Sequence, residues 1–135
     1  MSEFNDGLLR MVLRVDAVAS AAIGVSGAVA AATVDDRLGI PAGWLVAFGV
    51  VTAIWCVALL WLASRPRMPA AGVWAVIALN LVIAAASLLV LFADWWPLTT
   101  VGATLVITQA VGVVVLAELE YVGLRRSRAT ALRTA

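Results

Sequence analysis

Histidine and lysine are absent from this chain, and cysteine occurs once. Without histidine there is no side chain that ordinarily titrates near neutral pH, and the commonest metal ligand is missing. Without lysine there is no amine for Schiff-base chemistry. The lone Cys56 cannot close an intrachain disulfide; inside an apolar run it reads as a small core residue. Charge is scarce too, at 13% of residues against about 25% in soluble domains. The basic residues form no stripe interleaved with aromatics, and the net charge is +1, so no nucleic-acid partner is expected. These absences leave no catalytic set, no metal ligands and no cofactor site to expect.

What is present is apolar. Hydrophobic residues make up 64% of the 135 positions, against roughly 45–50% in soluble proteins. A soluble domain of this size keeps too much of its surface wet to hide that fraction. Four stretches, Ala17–Val34, Trp44–Ala63, Ala70–Ala93 and Leu98–Ala117, each approach the ~20 residues needed to cross about 30 Å of hydrocarbon. Charge, Gly and Pro punctuate the gaps at Asp35–Pro41, Ser64–Pro69 and Asp94–Pro97, where helices stop. The expected fold is all-α: a single integral membrane domain forming an up-and-down antiparallel bundle of four transmembrane helices. The helices are placed at about 14–34, 43–63, 70–93 and 98–122, with a flexible tail at about 126–135.

Orientation follows from arginine. Eight of the nine, at 10, 14, 65, 67, 125, 126, 128 and 133, fall before the first span, in the second loop or after the fourth span. Only Arg37 falls on the other side, beside Asp35 and Asp36. Positive charge favours the cytoplasm, so both termini and the second loop are expected inside a multi-pass protein of the cell membrane. Tryptophan and tyrosine favour the headgroup level. Trp44, Trp95 and Trp96 fall at the expected outer boundary, Trp61, Trp74 and Tyr121 at the inner one, and Trp55 at mid-depth. A cleavable signal peptide is the rival reading of the first segment; Asp16 interrupts its apolar run, and Glu3 and Asp6 dilute its basic region.

The first span is slim: of the sixteen residues from Ala17 to Ala32, eight are Ala, two Gly and two Ser. Ser20, Gly24, Gly27 and Ala31 recur at helical spacing after Asp16, with Val18, Val25 and Val29 on another face. Small residues in line let helices approach closely, so this stripe is expected to pack within the bundle. The third and fourth spans carry the strongly polar residues Asn80 and Gln109, near Ser87 and Thr108 respectively. Ten residues in from Ala70 and eleven in from Leu98 put both amides at about 15–17 Å of depth. An amide has no partner in lipid, so the two are expected to bond to each other as structural glue, with a polar pathway as the alternative. Arg14, Asp16, Glu118 and Glu120 read as a charged cluster at the cytoplasmic rim. Ion pairs fixing helix ends are its expected role, and a proton- or ligand-responsive site the alternative. Glu118 and Glu120 point about 160° apart on a helix, and Glu120 shares the face of Gln109.

Arg14-Val-Asp16-Ala17, Val73-Trp74-Ala75-Val76 with Asn80, and Gln109 followed by Ala117-Glu118-Leu119-Glu120-Tyr121 resemble a group of small bacterial membrane proteins, rich in Ala and Arg as in high-GC actinobacteria. The resemblance implies a four-helix membrane fold and no particular activity. In size the chain is also similar to small multidrug-resistance transporters, which embed a Glu in the first helix; here the acid is Asp16.

The expected function is therefore that of a non-enzymatic membrane component, an accessory or interaction protein whose partners are the bilayer and either another membrane protein or further copies of itself. A small transporter or channel subunit acting as an oligomer is the alternative. An enzyme would have to work with Asp16, Glu118, Glu120 and Tyr121, and no spacing singles them out.

Overall fold

The computed structural model describes residues 3–33 and 35–133. It contains four long helices and one short one: α1 (Glu3–Thr33), α2 (Asp35–Leu38), α3 (Ala42–Ser64), α4 (Ala70–Phe92) and α5 (Thr100–Arg133). There is no strand among the described residues. Each long helix holds a segment long and apolar enough to cross a membrane: Gly7–Thr33, Ala42–Ser64, Ala70–Phe92 and Thr100–Ala129.

The breaks have local causes. Pro41 and Pro69 stand immediately before α3 and α4, where a missing N–H costs nothing, and their carbonyls accept from Trp44 and Gly72 at 2.9 Å. Arg65 is extended (ψ 135°) after α3, because the following Pro66 crowds a helical residue in front of it. Beyond α4 the chain reverses through Asp94 in the left-handed region (φ 52°), which short polar residues tolerate better than branched ones. Thr99 caps α5: its hydroxyl accepts the Gly102 N–H at 3.1 Å and donates to the Arg37 carbonyl at 2.6 Å. One side chain thus satisfies an orphan helix donor and ties α2 to α5. The same junction needs two glycines. A Cβ at Gly102 would collide with the Leu38 carbonyl, and Gly39 (φ 70°) lies against the Pro97 carbonyl.

Two helix boundaries differ from those read in the sequence. The helix expected from residue 14 begins at Glu3, and the one expected to end at 122 continues through the anticipated flexible tail to Arg133. Thr134 and Ala135, like Val34 at the expected end of the first span, lie outside the described residues. Packing accounts for the turns next to the expected boundaries: Leu9, Val12 and Leu13 on α1 are buried, as is Leu124 on α5. A Cβ added to Gly123 would rest 3.3–3.4 Å from Leu9, so the outer turns of α1 and α5 hold each other in place. The expected break at Asp35–Pro41 contains the single turn α2.

Neighbouring helices run in opposite directions. On α1 and α3, Arg10 meets Ala63 and Pro66, Gly24 meets Thr52, and Gly27 lies over Leu45. The Arg10 guanidinium donates to the Ala63 and Pro66 carbonyls, placing a cation where α3 presents unpaired carbonyls. On α4 and α5, Trp74 pairs with Tyr121 at 5.8 Å between ring centroids. At the opposite end Trp44 pairs with Trp96 at 5.5 Å. The main apolar core sits towards the arginine-rich end, around Leu13, Leu59, Val73, Ile77 and Ala117.

The α1–α3 crossing is close because side chains are missing. A Cβ at Gly24 would overlap the Thr52 hydroxyl and lie 3.3 Å from the Gly49 carbonyl, and a Cβ at Gly49 would lie 3.0 Å from the Gly24 carbonyl. Val18, Val25 and Val29 are exposed around the rest of α1. The outward faces of the other long helices are likewise apolar, with Ile54, Val57, Val82, Phe92 and Val111 all exposed. An apolar surface that continuous needs a nonaqueous surrounding.

Candidate functional site

Three helices each send one polar side chain into the bundle, and the three meet. Asp16 on α1, Asn80 on α4 and Glu120 on α5 are at most 1% exposed. The Asn80 amide nitrogen donates to Asp16 Oδ2 at 3.1 Å and to Glu120 Oε2 at 3.3 Å. An amide NH2 carries two protons, and here each is directed to a different carboxyl group. The second Asp16 oxygen, Oδ1, accepts from the Ser20 hydroxyl at 3.1 Å, one turn along α1. The second Glu120 oxygen, Oε1, is buried without a hydrogen-bond partner. Trp55 Nε1 is the other such atom among the described residues; its indole packs against the apolar core.

Helix geometry accounts for the selection. Glu118 and Glu120 point about 160° apart on an α-helix, so when Glu120 points inward Glu118 points out, and Glu118 is exposed. Arg14 is exposed for the same reason, two residues before the buried Asp16. Ala17 and Ala117 are almost wholly buried beside the polar set. Their small side chains leave room for α1 and α5 to approach with carboxyl groups between them.

The constellation differs from the one expected. Arg14, Asp16, Glu118 and Glu120 do not form one cluster at the rim: the two buried acids lie at the level of Asn80, and Arg14 and Glu118 face outward. Asp16 follows Leu8, Leu9, Val12 and Leu13, and Glu120 stands five residues before Arg125, where the apolar run of α5 gives way to charge. Nor do Asn80 and Gln109 bond to each other. The register that sets Trp74 beside Tyr121 brings Glu120 to Asn80 and leaves Gln109 eleven residues away, roughly 16 Å along the helix axis. Gln109 is half-buried and makes no hydrogen bond among the described residues. Ser87 and Thr108 donate to carbonyls of their own helices, Ile83 and Thr104, at 2.8 Å, and Thr108 is exposed. Of the small-residue stripe, Gly24 is buried at the α3 crossing, Ser20 is engaged with Asp16, and Gly27 and Ala31 are half-buried.

Two carboxyl groups at one amide, enclosed by apolar side chains, form an unusual electrostatic arrangement. No arginine among the described residues is bonded to either acid. Like charges in a poorly screening interior repel strongly, and an ionised carboxylate buried without a counter-charge is costly. The donor set of carboxyl oxygens, one amide and one hydroxyl suits a proton, which leaves the two carboxyl groups sharing a single negative charge and so removes the repulsion between them. No group of three or more His, Cys, Asp or Glu placed to hold a metal ion occurs among the described residues. No family model, curated protein or solved structure matches the chain.

Proposed function

We propose that this is a non-enzymatic, multi-pass protein of the cell membrane that binds and releases a proton at the Asp16–Asn80–Glu120 constellation, working as a subunit of a small proton-conducting transporter or channel. The observation that carries this reading is the meeting of two wholly buried carboxyl groups at one amide, with no cation among the described residues bonded to either. Glue alone would be served by the amide and a hydroxyl; a second carboxyl adds repulsion unless its charge changes. Ionisable groups inside a membrane commonly mark ion and proton pathways. Four slim helices enclose little room, which favours assembly of several copies around a shared path. The arginine-rich end faces the cytoplasm in this proposal, with both termini inside.

The test is proton uptake into liposomes holding the purified protein, driven by a potassium-diffusion potential and read with an enclosed pH-sensitive dye. The wild type is expected to acidify or alkalinise the lumen according to the sign of the potential. Asp16→Asn and Glu120→Gln are expected to abolish that flux while keeping wild-type helicity and monodispersity. Folded variants that match the wild type, or a wild type no leakier than empty liposomes, would return the protein to the accessory-component reading.

A further inference from the structure

A second polar feature lies outside the bundle, at its arginine-rich end. A cavity of about 440 Å³ is lined by Trp74, Tyr121, Leu124, Arg125 and Arg128, within the ~300–1,000 Å³ typical of small-molecule sites. Its parts come from two helices in a fixed order. Leu124 is buried and forms the apolar floor. Trp74 and Tyr121, partly exposed, stand with ring centroids 5.8 Å apart. Arg125 and Arg128 are exposed and, three residues apart on α5, project from neighbouring positions on its surface. Neither arginine has an ion-pair partner among the described residues. Arg65, by contrast, lies 3.8 Å over the Trp61 ring, and Arg10 is engaged with the end of α3. The cavity therefore offers two uncompensated guanidinium groups beside aromatic and aliphatic walls, at the depth where an apolar span gives way to charge.

We infer that this cavity binds the headgroup of an anionic phospholipid, with the phosphate on Arg125 and Arg128 and the glycerol and upper acyl carbons against Trp74, Tyr121 and Leu124. Guanidinium groups suit phosphate oxygens through paired N–H donors. Basic pockets between membrane helices near the headgroup level select anionic lipids on the same physical grounds. The aromatic and apolar walls favour a ligand with one charged and one greasy end over a free anion. The inference is independent of the carboxyl site, since Glu120 points into the bundle while its neighbour Tyr121 faces the cavity.

The experiment is native mass spectrometry of the detergent-solubilised protein titrated with phosphatidylglycerol or phosphatidylcholine of matched chains. The wild type is expected to retain the anionic lipid preferentially. Arg125→Ala/Arg128→Ala is expected to lower that preference by roughly tenfold or more, given the contribution of each basic side chain at a lipid surface. Arg65→Ala/Arg67→Ala removes equal charge from the same end and is expected to keep the preference. Circular dichroism of both double variants establishes that each remains helical. Equal loss in the two double variants would reduce the effect to diffuse charge and overturn the site. Displacement of the lipid by millimolar inorganic phosphate would also overturn it, by showing that a free anion suffices.

Discussion

Asp16 and Glu120 meet at a single nitrogen, the amide of Asn80, although they come from the first and last long helices of the chain. Each oxygen lies within 3.3 Å of that nitrogen, so Asn80 is the hinge on which the electrostatics of the bundle turn. Its removal strands both acceptors together.

Asn80 and Gln109 should consequently behave very differently, despite being the same kind of residue on adjacent helices. Asn80→Leu is expected to cost about 1–3 kcal/mol for the acceptors left without donors. Gln109→Leu removes an amide with no hydrogen-bond partner among the described residues and is expected to be neutral or slightly stabilising. Unfolding midpoints of the two variants in one detergent would check this, and equal midpoints would mean that Asn80 does not organise the site.

The glycines of α1 also separate. Gly24→Ala places a methyl group on the Thr52 hydroxyl, which is engaged with the Phe48 and Gly49 carbonyls at 3.0 Å. Overpacking of this kind typically costs about 1–3 kcal/mol. Gly27→Ala meets nothing nearer than the Leu45 carbonyl at 3.7 Å, an ordinary contact, and is expected to be neutral or to gain from alanine's better helix propensity. Thermal denaturation of both variants gives the comparison; a Gly27→Ala protein as unstable as Gly24→Ala would place the tight crossing elsewhere.

With the arginine-rich end inside, reporter domains fused after Ser64 and at Ala135 should read cytoplasmic, and fusions at Asp36 or Asp94 should read external. An external reading at Ala135 would reverse the assignment of sides and, with it, the leaflet from which the cavity at Trp74 and Arg125 draws its lipid.

The helical class and the number of spans were legible in the sequence because composition acts on whole segments: apolar runs broken by Pro, Gly and charge leave little choice. The face of Glu120 was legible as well, since helical spacing sets it apart from Glu118. The pairing of the acids was not. Reading Arg14, Asp16, Glu118 and Glu120 as one charged cluster did not separate the residues that turn into the bundle from those that turn out. Leu8, Leu9, Val12 and Leu13 before Asp16, and Val122 and Leu124 after Glu120, were the signal that both helices continue. The partner of Asn80 was missed because counting inward from the ends of two spans assumes equal helix lengths. α5 has 34 residues and α4 has 23, so equal counts do not mean equal heights. The stripe from Ser20 to Ala31 identified a packing face, but only the position of Thr52 distinguishes Gly24 from Gly27 along it.

The contact of α1 with α5 has a consequence for biogenesis. Asp16 enters the bilayer before Glu120, which follows only after three intervening helices have been made. At roughly 5–20 residues per second, seconds pass before α4 brings Asn80 to the Asp16 carboxyl, which until then has Ser20 as its partner. Through that interval α1 is an alanine-rich segment carrying an acid without its amide donor, in contact with α3 at Gly24. Arrival of α5 is therefore the event that completes the bundle, and a nascent chain halted before it presents a half-made helix assembly of the sort that membrane quality control removes.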